Sequence, residues 1–170
     1  MNSIIKQLES IKEEELDLGD WTAHFISLLF KKKEKKEGIG IFTFSLGNER
    51  FGMEVSFVKE VVRTSDLNIQ KPPDKEGIVV ANLRGETVEV IIPEVVIGED
   101  YKSNKDFFLV FEAEGTCGIF LDPPFSILRI ESMKDLLPVK GIDEKLVKGE
   151  LGGEEPVVIL DPLGLCRRIG

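Results

Sequence analysis

The sequence predicts a mainly β protein made of two related small β-barrel subdomains, preceded by a helical segment. Three observations support this fold class. A hairpin pattern occurs twice, apolar runs of strand length recur between turn residues, and the hydrophobic period changes near residue 38. With 170 residues, 42% of them hydrophobic and 31% charged, the chain is long enough for one compact domain or two small lobes that share a core.

The clearest single pattern is a β-hairpin at residues 79–95. An apolar run leads into a turn at residues 84–87, and a second run rich in β-branched residues follows. Gly85 suits the turn because glycine adopts a positive φ without steric cost. Pro93 marks the end of the second strand because it has no amide hydrogen for the ladder.

The same pattern returns near the C-terminus. Residues 83–95 align without a gap with residues 151–163, and the identical positions include a leucine, a glycine, a glutamate, a valine and an isoleucine. The spacing of a phenylalanine, a glycine and an arginine ahead of each hairpin is also kept, in Phe42, Gly52 and Arg63 and again in Phe108, Gly118 and Arg129. A pattern repeated once indicates a duplication rather than a solenoid. We therefore predict two subdomains, at about residues 39–98 and 106–166.

Further strands are expected where short apolar runs alternate with turn residues. Pro123 and Pro124 are predicted to separate two strands, 116–121 and 125–130, since proline cannot donate to a central ladder. A helical turn is expected at residues 132–137, and a short C-terminal helix at 161–168.

Residues 1–37 have a helical period and are predicted to form an extension outside the barrels. Trp21, Phe25, Leu28 and Leu29 fall on one face of a helix, and a lysine-rich run follows at residues 31–36. An amphipathic helix of this kind most often packs on its own core, which is the favoured interpretation here. The alternative is that it docks on a partner.

Composition excludes several classes of function. A net charge of −9 argues against a nucleic-acid-binding surface, because the phosphate backbone would repel it. No run approaches the roughly 18 apolar residues of a membrane span, and the N-terminus lacks a signal pattern, so no stable membrane insertion and a cytoplasmic location are expected. Cys117 and Cys166 are expected to be free buried thiols, and one disulfide between the repeats is the alternative.

The sequence shows no motif typical of a catalytic site. His24 is the only histidine, and neither a metal-ligand spacing nor a phosphate-binding loop is present, so no enzyme, cofactor or metal is expected. Acidic residues are too numerous to single out a catalytic pair. A binding module remains, with Glu60 and Arg84 as the side chains that project from the apolar pattern. The alternative for Arg84 is an internal ion pair, with Glu60 or Glu86, that holds the turn.

Several segments together resemble one known family. They are Phe44-Ser-Leu-Gly47, Phe51-Gly-Met-Glu-Val55, Val58-Lys-Glu-Val61, Asn82-Leu-Arg-Gly85, the aliphatic run at 88–92 and the closing residues 157–163. In this order and spacing they resemble the CheW family of chemotaxis coupling proteins, over about residues 39–166. The resemblance implies two SH3-like five-stranded barrels within a domain at residues 38–170. It also implies a non-catalytic signalling adaptor, which couples the cytoplasmic tip of a chemoreceptor to the regulatory domain of a CheA-type histidine kinase.

The resemblance also implies partner-binding residues. Val58, Glu60 and Arg84 match family positions associated with receptor coupling, and Val79 stands where the family usually has glycine. Residues 88–93 depart from the usual Val-Pro-Val-Ile-Asp-Leu. These departures leave an alternative open, a specialised CheW-like interaction protein whose N-terminal helices drive autoinhibition or oligomerisation instead of receptor coupling.

Overall fold

A computed structural model describes residues 38–72, 75–98 and 105–169 of the protein. The predicted helical extension at residues 1–37 lies outside these described residues. Strands dominate the described chain, as the sequence predicts. In chain order the strands and α-helices are β1 (Ile39–Leu46), β2 (Glu49–Glu54), β3 (Val58–Arg63), β4 (Ile69–Gln70), β5 (Ile78–Leu83), β6 (Glu86–Ile91), α1 (Glu94–Ile97), β7 (Phe107–Glu112), β8 (Thr116–Ile130), β9 (Val147–Leu151), β10 (Val157–Leu160) and α2 (Pro162–Ile169). Short 3-10 segments at Val55–Phe57 and Thr64–Asp66 flank β3.

Both predicted copies of the hairpin are antiparallel hairpins followed by a helix. β5 pairs with β6 ahead of α1, and β9 pairs with β10 ahead of α2. The turns differ in length, because two residues, 84 and 85, join β5 to β6, whereas residues 152–156 join Leu151 to its partner Val157. Pro156 lies just before β10 and has no amide hydrogen, so the second ladder begins only after it.

The two copies of the duplication exchange strands. β3 pairs with β7 and β6 pairs in parallel with β8, while β10 pairs in parallel with β2 and the second half of β8 pairs with β1. The strand pairing therefore does not follow the two contiguous ranges 39–98 and 106–166. It forms instead a middle lobe, made of β3–β7 with residues 116–121, and a terminal lobe, made of β1, β2, β9 and β10 with residues 122–130.

Strand β8 joins the two lobes and corrects the prediction that Pro123 and Pro124 separate two strands. It runs for 15 residues through both prolines. Its first half pairs with β6 and β7, and its second half pairs with β1 after a shift in register between Thr43 and Ser45. The prolines are exposed and lie where the strand changes partners, so neither has to donate to a ladder.

The sequence predicts two helical segments in the C-terminal part of the chain, and only the second of them forms. The helix expected near residue 161 is α2, with Leu165 and Ile169 buried. The helical turn expected at residues 132–137 does not form. The chain makes bends and a non-helical turn at residues 134–135 there, and Leu137 forms an isolated antiparallel bridge with Glu150 beside β9.

Three apolar cores lie in and between the lobes. β1 and β7 are buried on both faces, because one face of each strand points into its own lobe and the other into a large central core. The fully buried residues of the middle-lobe core are Ala81, Leu83, Val88, Val90, Phe108, Val110 and Phe120. Among the described residues, the terminal lobe buries only Ile41, Val157 and Ile159 in a core of its own. Among the described strands no pairing joins β3 to β4, or β8 to β9, so the sheet is open where closed barrels were expected.

Cys117 and Cys166 are joined by a disulfide, so the expectation of free thiols is wrong. Their Cα atoms are 6.1 Å apart, within the usual range for a disulfide. The two residues meet because α2 folds back against β8. Both belong to the range 106–166, so the bond joins two ends of one copy and does not link the two repeats.

Candidate partner-binding surface

The β5–β6 turn has the geometry of a tight two-residue hairpin turn. Leu83 faces Glu86, and the residues between them, Arg84 and Gly85, have φ angles of 52° and 85°. Positive φ at both central positions is typical of a type I′ turn, whose twist matches that of the flanking strands. The Asn82 Oδ1 accepts a hydrogen bond from the Gly85 amide at 3.2 Å. Arginine is an unusual residue at such a φ, so other contacts must hold it there.

One such contact is an ion pair between Arg84 and Glu60. The Arg84 Nη2 donates to the Glu60 Oε2, and the two side chains are 67% and 17% exposed. The hydrogen bond to Glu60 raises the pKa of the Arg84 guanidinium, and the negative charges of Glu60 and Glu86 act in the same direction. The structure therefore brings together Glu60 and Arg84, two of the four residues predicted to bind partners. They form the internal ion pair that is the alternative interpretation of Arg84.

The position of Glu60 follows from the alternation of side chains along β3. Glu60 faces Val110 and Val62 faces Phe108, and both partners belong to the middle-lobe core. Glu60 therefore projects on the inner face of the middle lobe. No strand pairing joins β3 to β5 in the described chain. The ion pair thus connects β3 to the β5–β6 turn at a place where the backbone does not.

The other two predicted residues lie elsewhere. Val58 is only 2% exposed and belongs to the central core, opposite Phe111. Val79 is half-buried near the start of β5, opposite Val90, and packs against the middle-lobe core. Val79 and Arg84 are five residues apart along the hairpin, about 17 Å at the rise of a strand. The structure brings neither valine into the Glu60–Arg84 pair.

Further apolar side chains lie beside β3 and β4, which do not pair with each other, and no pattern in the sequence distinguishes them from core residues. Val62, Leu67 and Ile69 are partly buried against the middle-lobe core, as is Ile92 after β6. Together with Val79 they define what we call the middle-lobe opening. In the sequence these five residues have the spacing of ordinary core positions. Their partial exposure is visible only in the structure, where β3 and β4 do not pair.

Arg50 is a second polar feature that sequence reasoning did not single out. The guanidinium donates to the Ser45 Oγ at 2.9 Å, to the Pro124 carbonyl oxygen at 2.7 Å and to the Thr43 Oγ1 at 2.7 Å. Burial lowers the pKa of Arg50, although the charge of Glu155 opposes this effect. Arg50 thereby ties β1 and β2 to the point where β8 changes partners, which is a structural role.

Two clefts of moderate size lie on the described surface. One, of about 710 Å³, lies between the β1–β2 turn and residues 138–142, and its charged side chains are Glu49, Lys140 and Glu150. The other, of about 450 Å³, contains Asp143 and Asp161. The Oδ1 atoms of both aspartates accept hydrogen bonds from nearby backbone amides, so these carboxylates are used in capping local structure.

Within the described ranges, no group of three or more histidine, cysteine, aspartate or glutamate side chains is arranged to hold a metal ion. In the same part of the chain, no helix has the length and apolar character needed to cross a membrane.

Comparison with known proteins identifies the family. The model of the CheW-like domain matches residues 40–170. The chain belongs to the CheW-like domain family. The crystal structure of the scaffolding protein TtCheW from Thermoanaerobacter tengcongensis is similar to this CheW-like chain, with a TM-score of 0.62 and 28% sequence identity. The similarity covers 73% of this chain and 89% of TtCheW. A comparison with curated proteins gives no match.

Membership of the CheW-like family agrees with the observed architecture. The intertwined lobes, the hairpin followed by a helix in each copy and the disulfide-linked α2 all lie within the matched residues. Proteins of the CheW family are non-catalytic scaffolds, and TtCheW is itself a scaffolding protein.

Proposed function

We propose that this CheW-like protein is a non-catalytic adaptor that couples the cytoplasmic tip of a chemoreceptor to the regulatory domain of a CheA-type histidine kinase. Family membership supports the adaptor class. The observation that carries the proposal is the Glu60–Arg84 ion pair at the end of the middle lobe. Both residues occupy positions that match those associated with coupling in the family.

The chemistry of this surface suits a helical partner. The middle-lobe opening offers partly exposed aliphatic side chains, and the largely exposed Arg84 lies at one end of the lobe. An amphipathic helix can place its apolar side chains on such a surface and a carboxylate near the arginine. Arginine is a common anchor at protein interfaces. The receptor tip is therefore assigned to this surface.

The main experiment measures binding of the full chain to a receptor-tip fragment and, separately, to the kinase regulatory domain. The most informative variant is Arg84→Asn, because asparagine followed by glycine favours a type I′ turn and so preserves the hairpin while removing the guanidinium. We expect receptor binding to weaken on the order of tenfold, equivalent to about 1.4 kcal/mol. Binding to the kinase domain is expected to change little.

The matched control is the Arg167–Glu114 ion pair. Its side chains are 66% and 55% exposed, and it lies away from the middle-lobe opening, between α2 and the β7–β8 turn. Arg167→Asn should leave both affinities unchanged. Equal losses for the two variants would indicate a general effect of charge and would contradict the assignment. Absence of binding to either partner by the unmodified chain, at tens of micromolar, would contradict the proposed function itself.

A further inference from the structure

The terminal lobe has a smaller core of its own than the middle lobe has. Ile41, Val157 and Ile159 are the fully buried residues of its apolar cluster. The aliphatic side chains around them are only partly buried: Ile39, Leu128, Ile130, Met133, Leu136 and Leu151. We call these six residues the terminal-lobe face. The face lies where the sheet is open, because no strand pairing joins the second half of β8 to β9 in the described chain.

The chain enters the described structure at the edge of this face. Ile39, the first residue of β1, is the register partner of Ile130, and both belong to the terminal-lobe face. Gly38 lies close against the same strand, since a Cβ atom at this position would be 2.7 Å from the Ile130 carbonyl oxygen. The Arg129 Nη1 donates to the Gly38 carbonyl oxygen at 3.5 Å. The 37 residues that precede Gly38 therefore connect to the protein beside partly buried aliphatic side chains.

Those residues carry a matching apolar stripe within reach. Trp21, Phe25, Leu28 and Leu29 have helical spacing, and Gly38 is nine positions after Leu29. Nine residues span about 14 Å as a helix and up to about 30 Å when extended, so the stripe can reach any part of a face that adjoins Gly38. A helix with an apolar stripe is stable in water mainly when that stripe is buried against another surface.

The charges on the two sides are complementary. Five lysines occur between residues 31 and 36, in the connection between the stripe and β1. Glu131 and Asp135 are exposed beside Met133 and Leu136 of the terminal-lobe face, with the exposed Lys134 between the two carboxylates in sequence. Lysines on the connection can therefore approach carboxylates at the rim while the apolar residues meet.

We infer that residues 20–30 pack on the terminal-lobe face of their own chain and complete its core. This inference is independent of the receptor-coupling proposal, which concerns the other lobe. It assigns the segment a role within the chain, in contrast to docking on a second copy or on another protein.

The test uses Trp21, which is the only tryptophan in the sequence. Its fluorescence in the full chain therefore reports directly on the segment. We expect a blue-shifted emission and a several-fold lower quenching by iodide than in the chain unfolded in denaturant, both independent of protein concentration. Met133→Asp should shift the emission to the red and raise the quenching towards the unfolded value. The matched control is Leu67→Asp, a half-buried residue of the middle-lobe opening, which should leave Trp21 protected.

Each other outcome overturns the inference. If iodide quenches Trp21 as strongly in the native chain as in the unfolded chain, the segment does not dock. Protection lost on dilution would indicate a second copy, and protection unaffected by Met133→Asp would place the segment elsewhere. A second measurement covers the case in which Met133→Asp fails to fold. Carbodiimide treatment of the unmodified chain should cross-link lysines 31–36 to Glu131 or Asp135 within one molecule, and cross-links only to other carboxylates would contradict the proposed position.

Discussion

Val157 of β10 lies over Gly52 of β2, in the parallel pair that joins the two copies in the terminal lobe. A Cβ atom at position 52 would be 3.2 Å from the Val157 Cγ1 and 2.6 Å from the Ile41 Cγ2. In the middle lobe the matching glycine, Gly118 of β8, is the register partner of Val90 of β6, and a Cβ atom there would be 3.0 Å from the Val90 Cγ2. The two glycines that match in the sequence thus leave room for a valine from the other copy of the duplication.

We therefore expect Gly52→Ala to destabilise the protein. The added methyl group has to displace Ile41 within a packed core, and overpacking of this kind costs about 1–3 kcal/mol. The gain from a less flexible unfolded chain is smaller, at about 0.4–1 kcal/mol. Denaturant unfolding followed by circular dichroism measures the difference. Gly115→Ala is the control, because a Cβ atom there meets nothing within 4 Å and stability should not fall. Equal stability of the two variants would contradict the close approach.

The Glu60–Arg84 ion pair is expected to contribute little to stability, because Arg84 is largely exposed. A double-mutant cycle with Glu60→Gln and Arg84→Ala should give a coupling free energy of about 0.2–1 kcal/mol. Arg84→Asn should be at least as stable as Arg84→Ala, since asparagine tolerates the positive φ of the turn better. A coupling free energy well above 1 kcal/mol, measured by thermal or denaturant unfolding, would instead make the pair mainly a structural clamp.

The Cys117–Cys166 disulfide should stabilise the chain substantially. Its cysteines are separated by 49 positions, and closing a loop of that length removes conformational freedom from the unfolded chain. Replacement of both cysteines by alanine is expected to cost about 2–4 kcal/mol. The unfolding midpoint of the unmodified chain should fall when a dithiol reductant is added, whereas that of the double variant should not. A midpoint insensitive to reductant in both proteins would show that the cysteines are not bonded in solution.

Arg50 should contribute more to the free energy of unfolding than is usual for an arginine next to a turn, because its guanidinium makes three hydrogen bonds. Arg50→Met retains much of the aliphatic stem but leaves the Pro124 carbonyl and the Thr43 and Ser45 hydroxyls without their donor. The expected cost is about 1–3 kcal/mol. Arg168→Met is the control, because Arg168 is exposed on α2. Comparable unfolding free energies for the two variants would exclude a stabilising role for the Arg50 contacts.

Part of the candidate site could be predicted from sequence. Asn82-Leu-Arg-Gly85 indicated a hairpin turn, and the polar residues that interrupt apolar runs indicated Glu60 and Arg84. The burial of Val58 could not be foreseen, because an aliphatic residue in a strand has the same pattern whether it faces a partner or a core. The middle-lobe opening was missed because β3 and β4 are consecutive in the chain yet do not pair, and a sequence pattern does not show whether neighbouring strands pair.

The sequence by itself determined the strands, the duplication and the turn chemistry. These are local properties, set by side-chain alternation, by glycine at positive φ and by the missing amide of proline. Only the tertiary structure decided that the copies exchange strands, that β8 continues through Pro123 and Pro124, and that Cys117 meets Cys166. The reason is that each of these depends on which distant strand supplies a hydrogen-bonding edge, and a sequence pattern specifies the face of a strand but not its neighbour.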